Sequence, residues 1–192
     1  PFFFLSFFFY SPPYPPFWVS IPTNPAINLR AALMEMQPEK TFSPDANFTQ
    51  RLSYGSEGGY NPADAVSYDY YSTSKGVLEK ENKDDPEIAV QQYILDNLKA
   101  AQWGGYAEDG TMHVGFLSNN DITGGNSGSP VFNGKAELIG LAFDGNWEAL
   151  SGDIIFEPKL QRTISVDIRY VLYTIDKIMG CHRLIDELNI QK

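Results

Sequence analysis

The residues most able to do chemistry lie in segment 120–130, which reads Asn-Asp-Ile-Thr-Gly-Gly-Asn-Ser-Gly-Ser-Pro. Ser127 stands between Gly-Asn and Gly-Ser-Pro and is followed by a predicted β-strand. Such a turn can hold a hydroxyl outward while the backbone N–H groups of Gly125 and Ser127 face a developing oxyanion, because glycine permits the required dihedrals. Each well-placed donor stabilises an acyl-transfer transition state by about 2.7–4 kcal/mol. The segment therefore predicts Ser127 as a nucleophile.

Two other interpretations of this segment must be weighed. The nucleophile elbow of α/β-hydrolases requires Gly-x-Ser-x-Gly between a strand and a helix, but here Ser129 and Pro130 follow and lead into a strand. A polar turn without catalytic function is the other alternative. The run of matching residues favours the nucleophile loop of chymotrypsin-like peptidases.

A serine hydroxyl attacks only when a base accepts its proton, and that base is usually a histidine oriented by a carboxylate. The sequence offers His113 and His182. In chymotrypsin-like enzymes the order is His, Asp, Ser, with the first two on the preceding barrel. His113 lies on a strand of the same barrel and His182 lies after it, so we expect neither to be the base. The base and its aspartate are expected upstream of residue 1.

Composition excludes several functions. The 192 residues include 14 Lys and Arg against 24 Asp and Glu, a net charge of −10, which disfavours a nucleic-acid surface. Two histidines and the single Cys181 cannot build a four-ligand Cys/His zinc site, and no carboxylate cluster replaces it, so no metal is expected. No stretch has the length of a membrane span, so no membrane insertion is expected.

The elements that must position Ser127 are mostly short strands. Alternation and turn residues predict strands in the ranges 48–54, 66–71, 112–117, 131–132 and 137–143. Helices are predicted as the end of a helix at 31–36, then over 86–101 with Pro86 in the first position, and over 167–179 and 181–188. The fold class is mainly β with α.

The first 30 residues differ from the rest. They contain no charged residue before Arg30 and are rich in Phe and Pro. The proline pairs at 12–13 and 15–16 forbid a helix there. We predict that residues 1–30 are a low-complexity segment outside a native domain, disordered or artefactual, and that residues 31–192 form the folded part.

The stretch from Leu33 to Leu188 resembles the C-terminal part of bacterial dipeptidyl-peptidases of the 7 and 11 type. The resemblance is carried by segment 120–130 and by several other pieces: Leu-Met-Glu-Met from Leu33, Arg-Leu-Ser-Tyr-Gly from Arg51, Gly-Leu-Ala-Phe-Asp-Gly-Asn-Trp-Glu from Gly140, and Val-Asp-Ile-Arg-Tyr-Val-Leu from Val166. It implies the C-terminal barrel of a chymotrypsin-like double-barrel serine peptidase, followed by helices.

The resemblance also implies site residues. Asp144 would receive the α-ammonium of a peptide substrate, and Gly145 would leave room for an apolar side chain before the cut, as in the 7 type. Two alternatives remain open. Asp121 stands six positions before Ser127, where trypsin-like enzymes carry the carboxylate that selects Lys and Arg. Glu148 could assist in holding the α-ammonium.

Two functional hypotheses follow. In the first, the chain is a fragment of a serine exopeptidase that releases dipeptides from the free N-terminus of oligopeptides, uses no cofactor, and is inactive alone. In the second, it is a non-catalytic module that binds peptide N-termini. The resemblance further implies a homodimer in the full-length enzyme and a periplasmic or cell-surface location in a Gram-negative bacterium.

Overall fold

The structure is a computed structural model, and it describes residues 2–6, 25–40, 50–152 and 155–191. The strands are β1 (Phe2–Ser6), β2 (Arg51–Gly55), β3 (Tyr60–Ala63), β4 (Val66–Tyr68), β5 (Tyr71–Thr73), β6 (His113–Ser118), β7 (Pro130–Phe132), β8 (Leu138–Gly145) and β9 (Thr163–Asp167). The α-helices are α1 (Pro25–Met36), α2 (Ser74–Lys80), α3 (Gln92–Ala100), α4 (Ile168–Tyr173) and α5 (His182–Asp186). A 3-10 helix follows β8 at Trp147–Ser151, and a π-helical turn continues α4 at Thr174–Ile178.

Seven strands pair in the order β2-β1-β7-β8-β9-β6-β5, and all of these pairs are antiparallel. Strands β3 and β4 form a separate hairpin. Continuous pairing of the described strands leaves an open sheet rather than a closed barrel. One isolated bridge, between Glu57 and Ser118, joins the chain after β2 to the end of β6. The mainly β fold with C-terminal helices is confirmed, while the expected closed barrel is not observed among the described strands.

Two apolar clusters stabilise this arrangement. One lies within the sheet, where Phe116, Val131 and Ala142 are buried. The other lies between the helices and the sheet, and its buried members are Leu98, Trp103, Met112 and Tyr173. The first cluster joins β6 and β7, the strands that flank the loop carrying Ser127 in sequence, to β8. The loop is therefore attached to a packed part of the molecule.

Several element predictions need correction. The helix predicted from Pro86 begins only at Gln92, because the preceding residues form a turn in which Asp85 Oδ1 accepts from the N–H of Glu87. The predicted strand 66–71 is two strands, β4 and β5. Strand β9 was not predicted, because its buried face carries Thr163, Ser165 and Asp167 rather than apolar residues. Helix α4 starts at Ile168, with Asp167 accepting from the N–H of Arg169 as its N-cap.

The predictions for the N-terminal region fall largely outside the described residues. Of segment 1–30, the structure describes residues 2–6, which form β1, and residues 25–30, which begin α1. Helix α1 ends at Met36, as the sequence predicts. Residues 48 and 49 of the predicted strand 48–54 also lie outside the described part. The assignment of residues 1–30 to a segment separate from the domain remains a prediction.

Candidate active site

The loop that carries Ser127 is shaped by the side chain and backbone of Asn126. Its Oδ1 accepts from the N–H of Thr123 at 3.0 Å, its own N–H donates to Thr123 O at 3.2 Å, and its carbonyl accepts from Ser129 N–H at 2.9 Å. Asn126 is buried, with 2% exposure. These bonds fold residues 123–129 into two successive turns. Sequence reasoning did not identify Asn126, although an asparagine inside a glycine-rich turn is a known turn-forming signal.

The two glycines of the loop adopt conformations that other residues avoid. Gly125 has φ of 98° and Gly128 has φ of 83°. The resulting turn leaves Gly125 and Ser127 exposed. Within the described residues, neither the N–H of Gly125 nor that of Ser127 donates a hydrogen bond to another protein group. Both amides are therefore available to an oxyanion.

The hydroxyl of Ser127 lies beside strand β8. Its Oγ donates to Phe143 O at 3.2 Å, and Gly128 N–H donates to Ala142 O at 2.7 Å. The residues after Phe143 are Asp144 and Gly145. The structure thus brings the predicted nucleophile next to the strand end that carries both predicted substrate-binding residues.

Asp144 presents its carboxylate at the surface. Oδ1 accepts from the N–H of Gly145 at 2.8 Å, and the residue is exposed. Among the described residues no lysine, arginine or histidine forms an ion pair with it. A charge in this setting can attract a cation from solution, and a charge-assisted hydrogen bond to an ammonium is stronger than a neutral one.

A buried polar network holds the chain just beyond Gly145. Asn146 is buried and donates from Nδ2 to Glu148 Oε2 and to Leu160 O, both at 2.8 Å, while its Oδ1 accepts from Arg162 N–H at 2.8 Å. Tyr60 OH also donates to Glu148 Oε2, at 3.0 Å. One oxygen of Glu148 is thereby committed to protein partners. The network fixes the end of β8 against the start of β9.

Arg162 also belongs to this network through its side chain. Its guanidinium donates to the carbonyl oxygens of Gly59 at 2.8 Å, Pro158 at 2.9 Å and Gln161 at 2.7 Å. Burial lowers the pKa of Arg162, because the charged form loses hydration. The side chain therefore ties the segment before β3 to the segment before β9.

Neither histidine is paired with Ser127. His113 stacks on Tyr71 with ring centroids 4.3 Å apart, and its Nδ1 lies 3.4 Å from Arg169 Nη2. His182 Nδ1 lies 2.6 Å from Asp176 Oδ1, on the far C-terminal helix. The hydrogen bond of the Ser127 hydroxyl goes instead to a backbone carbonyl. Among the described residues, the Ser127 hydroxyl therefore has a backbone carbonyl and neither histidine as its hydrogen-bond partner.

The carboxylate of Asp176 is the centre of a separate cluster. It accepts from Tyr106 OH at 2.9 Å and pairs with Lys177 Nζ at 2.9 Å and with His182. The hydrogen bonds from Lys177 and then from His182 lower the pKa of Asp176 to about 2. Burial and the hydrogen bond to Asp176 raise the pKa of Tyr106 to about 12. This cluster anchors the C-terminal helix to the rest of the fold.

The alternative residue Asp121 lines a small pocket beside the site. Its backbone oxygen accepts from Ser53 Oγ at 2.9 Å. The pocket lies between residues 120–122 and the 3-10 helix after β8. In the described part of the chain, no group of three His, Cys, Asp or Glu side chains is arranged to hold a metal ion.

Comparison with known proteins shows the family. The sequence profile of peptidase S46 matches residues 23–190. The chain belongs to the peptidase S46 family. It is 62% identical over 160 residues to dipeptidyl-peptidase 7 of Porphyromonas gingivalis, which covers 83% of this chain and 22% of that relative. It is 48% identical over 162 residues to an Asp/Glu-specific dipeptidyl-peptidase of Porphyromonas endodontalis, with 84% and 23% covered.

The fold agrees with that of a solved structure. The crystal structure of Porphyromonas endodontalis DPP11 in complex with the dipeptide Arg-Asp superimposes with a TM-score of 0.76 at 47% identity, covering 84% of this chain and 23% of that one. This S46 chain thus spans less than a quarter of the length of these relatives. Among its described helices, none combines the length and apolar character needed to cross a membrane.

Proposed function

We propose that this S46 chain is the nucleophile-bearing part of a serine dipeptidyl-peptidase. The proposal is supported by one observation above all: the exposed hydroxyl of Ser127 contacts Phe143, the residue directly before Asp144 and Gly145. A nucleophile and a fixed negative charge are then a short distance apart along one strand end. An exopeptidase needs both, because only a carboxylate distinguishes a terminal ammonium from a continuing amide chain.

The reaction steps follow from these groups. Asp144 binds the α-ammonium, and Ser127 Oγ attacks the second peptide carbonyl while a histidine from the longer protein accepts the hydroxyl proton. The N–H groups of Gly125 and Ser127 stabilise the oxyanion. The C–N bond then breaks as the histidine returns the proton to the leaving amine, and water hydrolyses the acyl-enzyme to release the dipeptide.

Substrate preference, assembly and location are parts of the same proposal. Gly145 carries no side chain that could offer a charge to the substrate, which suits an apolar side chain before the cut. The longer protein is proposed to be a homodimer in the periplasm or at the cell surface of a Gram-negative bacterium, with oligopeptides as substrates.

A chimera tests the proposal. Residues 31–190 of this chain replace the corresponding segment of dipeptidyl-peptidase 7 of Porphyromonas gingivalis, and dipeptide release from free-amine and N-acetylated peptides is measured. We expect release from the free-amine peptides only, and a loss of about 10⁶-fold in kcat for Ser127→Ala, as for other serine nucleophiles. Ser72→Ala, an exposed serine on β5, is the matched control. A folded chimera without activity, or one that keeps its activity after Ser127→Ala, would contradict the proposal.

A second candidate function is a module that binds peptide N-termini without cleaving them. It is favoured by the positions of the two histidines, both of which bond to groups other than Ser127. A peptide would add to the end of β8 by backbone pairing while Asp144 binds its ammonium. Calorimetry with the isolated 192-residue chain would detect binding of a free-amine peptide, and this binding would be lost in Asp144→Ala. The absence of binding, with activity in the chimera, would favour the enzyme.

A further inference from the structure

A small pocket, with a cavity volume of about 10 Å³ that is enough for one water molecule, lies beside the loop that carries Ser127. One wall is formed by Asp121 and Ile122, which lead into the loop that carries Ser127. The facing wall is formed by Ala149 and Gly152, around the 3-10 helix that follows Gly145. The pocket is thus bounded by the two segments that carry the proposed nucleophile and the proposed ammonium ligand.

Ala149 lines the pocket and also faces Gly145. A Cβ atom placed on Gly145 would lie 2.9 Å from the Cβ of Ala149, closer than side chains pack. The methyl group of Ala149 therefore already occupies the space toward which a side chain at position 145 would point. The room beside Gly145 is set by both residues and not by the glycine alone.

The position of this methyl group is fixed by hydrogen bonds. Ala149 N–H donates to Asn146 O, and Gly152 N–H donates to Ala149 O, both at 2.9 Å. Asn146 is itself buried and bonded to Leu160 and Arg162. The far side is also closely packed, because a Cβ on Gly152 would lie 3.0 Å from Ala149 O. The wall cannot easily move away from a larger ligand.

The chemistry of the lining indicates an uncharged occupant. Ile122, Ala149 and Phe156 are apolar, and Asp121 and Arg162 contribute one charge of each sign. The lining also includes the uncharged polar residues Asn120 and Gln161. The guanidinium of Arg162 is directed to backbone carbonyls, and burial already lowers its pKa. Neither sign of charge dominates, so an apolar side chain of limited size fits this surface best.

We propose that Ala149 is a specificity-determining residue, whose methyl group limits the size of the apolar substrate side chain that precedes the cleaved bond. The proposal rests on the proposed dipeptidyl-peptidase function and assigns a further residue to it. It separates Ala149 from Gly145: the glycine admits a side chain, and the alanine sets how large that side chain can be.

The test uses the chimera described above, with peptides that carry Ala, Leu or Phe as the second residue. Ala149→Val narrows the pocket by two methyl groups, and one carbon in an apolar pocket changes selectivity by about 10- to 200-fold. We therefore expect the kcat/KM ratio of Phe to Ala peptides to fall at least about tenfold in Ala149→Val and to rise in Ala149→Gly. Leu150→Ala, on the same 3-10 helix but 73% exposed, should leave the ratio unchanged.

The outcomes distinguish the two proposals. If the unmodified chimera releases no dipeptides, the proposed function fails. If it is active but both folded Ala149 variants keep the original ratio, the assignment of Ala149 fails while the function stands. Should Ala149→Val not fold, Ala149→Gly decides alone, because it removes atoms and cannot clash: an unchanged ratio overturns the assignment, and a raised ratio supports it.

Discussion

Replacing Gly145 with alanine tests how closely the end of β8 packs against the following 3-10 helix. The new Cβ would lie 2.9 Å from the Cβ of Ala149, whereas the next neighbour, Arg162 O, is 3.8 Å away. Carbon atoms pack best at about 3.5–4.0 Å, so the overlap is about 0.6–1.1 Å and involves one neighbour. Gly145 does not have a positive φ, so alanine adds no backbone strain.

The expected cost of this overlap is about 1–3 kcal/mol in the free energy of unfolding, the range found for overpacked cores. Ala149→Gly removes the methyl group with which the new Cβ at position 145 overlaps. In the double variant, alanine at 145 meets glycine at 149, and we expect a coupling free energy of at least about 1 kcal/mol in its favour.

The assay is equilibrium urea unfolding of the isolated 192-residue chain, monitored by tryptophan fluorescence, for the four members of the double-mutant cycle. Gly76→Ala is the matched control: it lies in helix α2, a Cβ there meets nothing within 4 Å, and alanine should stabilise that helix by about 0.5–1 kcal/mol. Additive effects of the Gly145 and Ala149 changes would refute the reasoning, since the two Cβ atoms would then not compete for the same space.

Three further predictions concern charge, specificity and the core. Asp176 has its pKa lowered to about 2 from 3.8, so its ionised form stabilises the fold above pH 3.8 and that contribution is lost as the pH falls through 2. The difference in unfolding free energy between the wild type and Asp176→Asn should therefore shrink over this interval in urea titrations; a constant difference would contradict it. In the chimera, Gly145→Arg combined with Ala149→Gly should raise the kcat/KM ratio of Asp to Leu peptides by about 10- to 150-fold, since a hydrogen bond to a charged group stabilises by about 1.5–3 kcal/mol. An unchanged ratio would mean that position 145 does not face the substrate side chain. Leu98→Ala, at 2% exposure in the helical cluster, should cost about 2–5 kcal/mol in the same unfolding assay, and a cost below that range would show a looser core.

The turn around Ser127 could be predicted because its conformational requirements are local. A turn that exposes a hydroxyl and two amides needs glycines on both sides, and Gly125 and Gly128 have the positive φ values that such a turn uses. Short strands with apolar alternation were predicted for the same reason, and β7 and β8 lie close to their predicted positions.

The parts that could not be predicted depend on contacts between distant segments. The buried face of strand β9 carries polar residues, so its sequence lacks the alternation of buried apolar and exposed polar residues by which strands are predicted. The support that Tyr60 gives to Glu148 joins residues 88 positions apart, and Arg162 bonds to Gly59 across 103 positions. Gly145 and Ala149 are only four positions apart, but their close approach depends on how the 3-10 helix is oriented relative to β8. The sequence spacing alone does not define that orientation.

Strand β1 has a consequence for how this chain can be handled. Its residues precede the family match at 23–190, yet they pair with β2 over five residues and with β7 over two. A version shortened to the family region would leave the N–H and C=O groups of both neighbouring strands without their partner. Open strand edges recruit strands from other molecules and promote aggregation. Removing the Phe-rich residues that form β1 to improve solubility would therefore work against its purpose, and a polar strand grafted in their place is the better way to obtain a tractable sample.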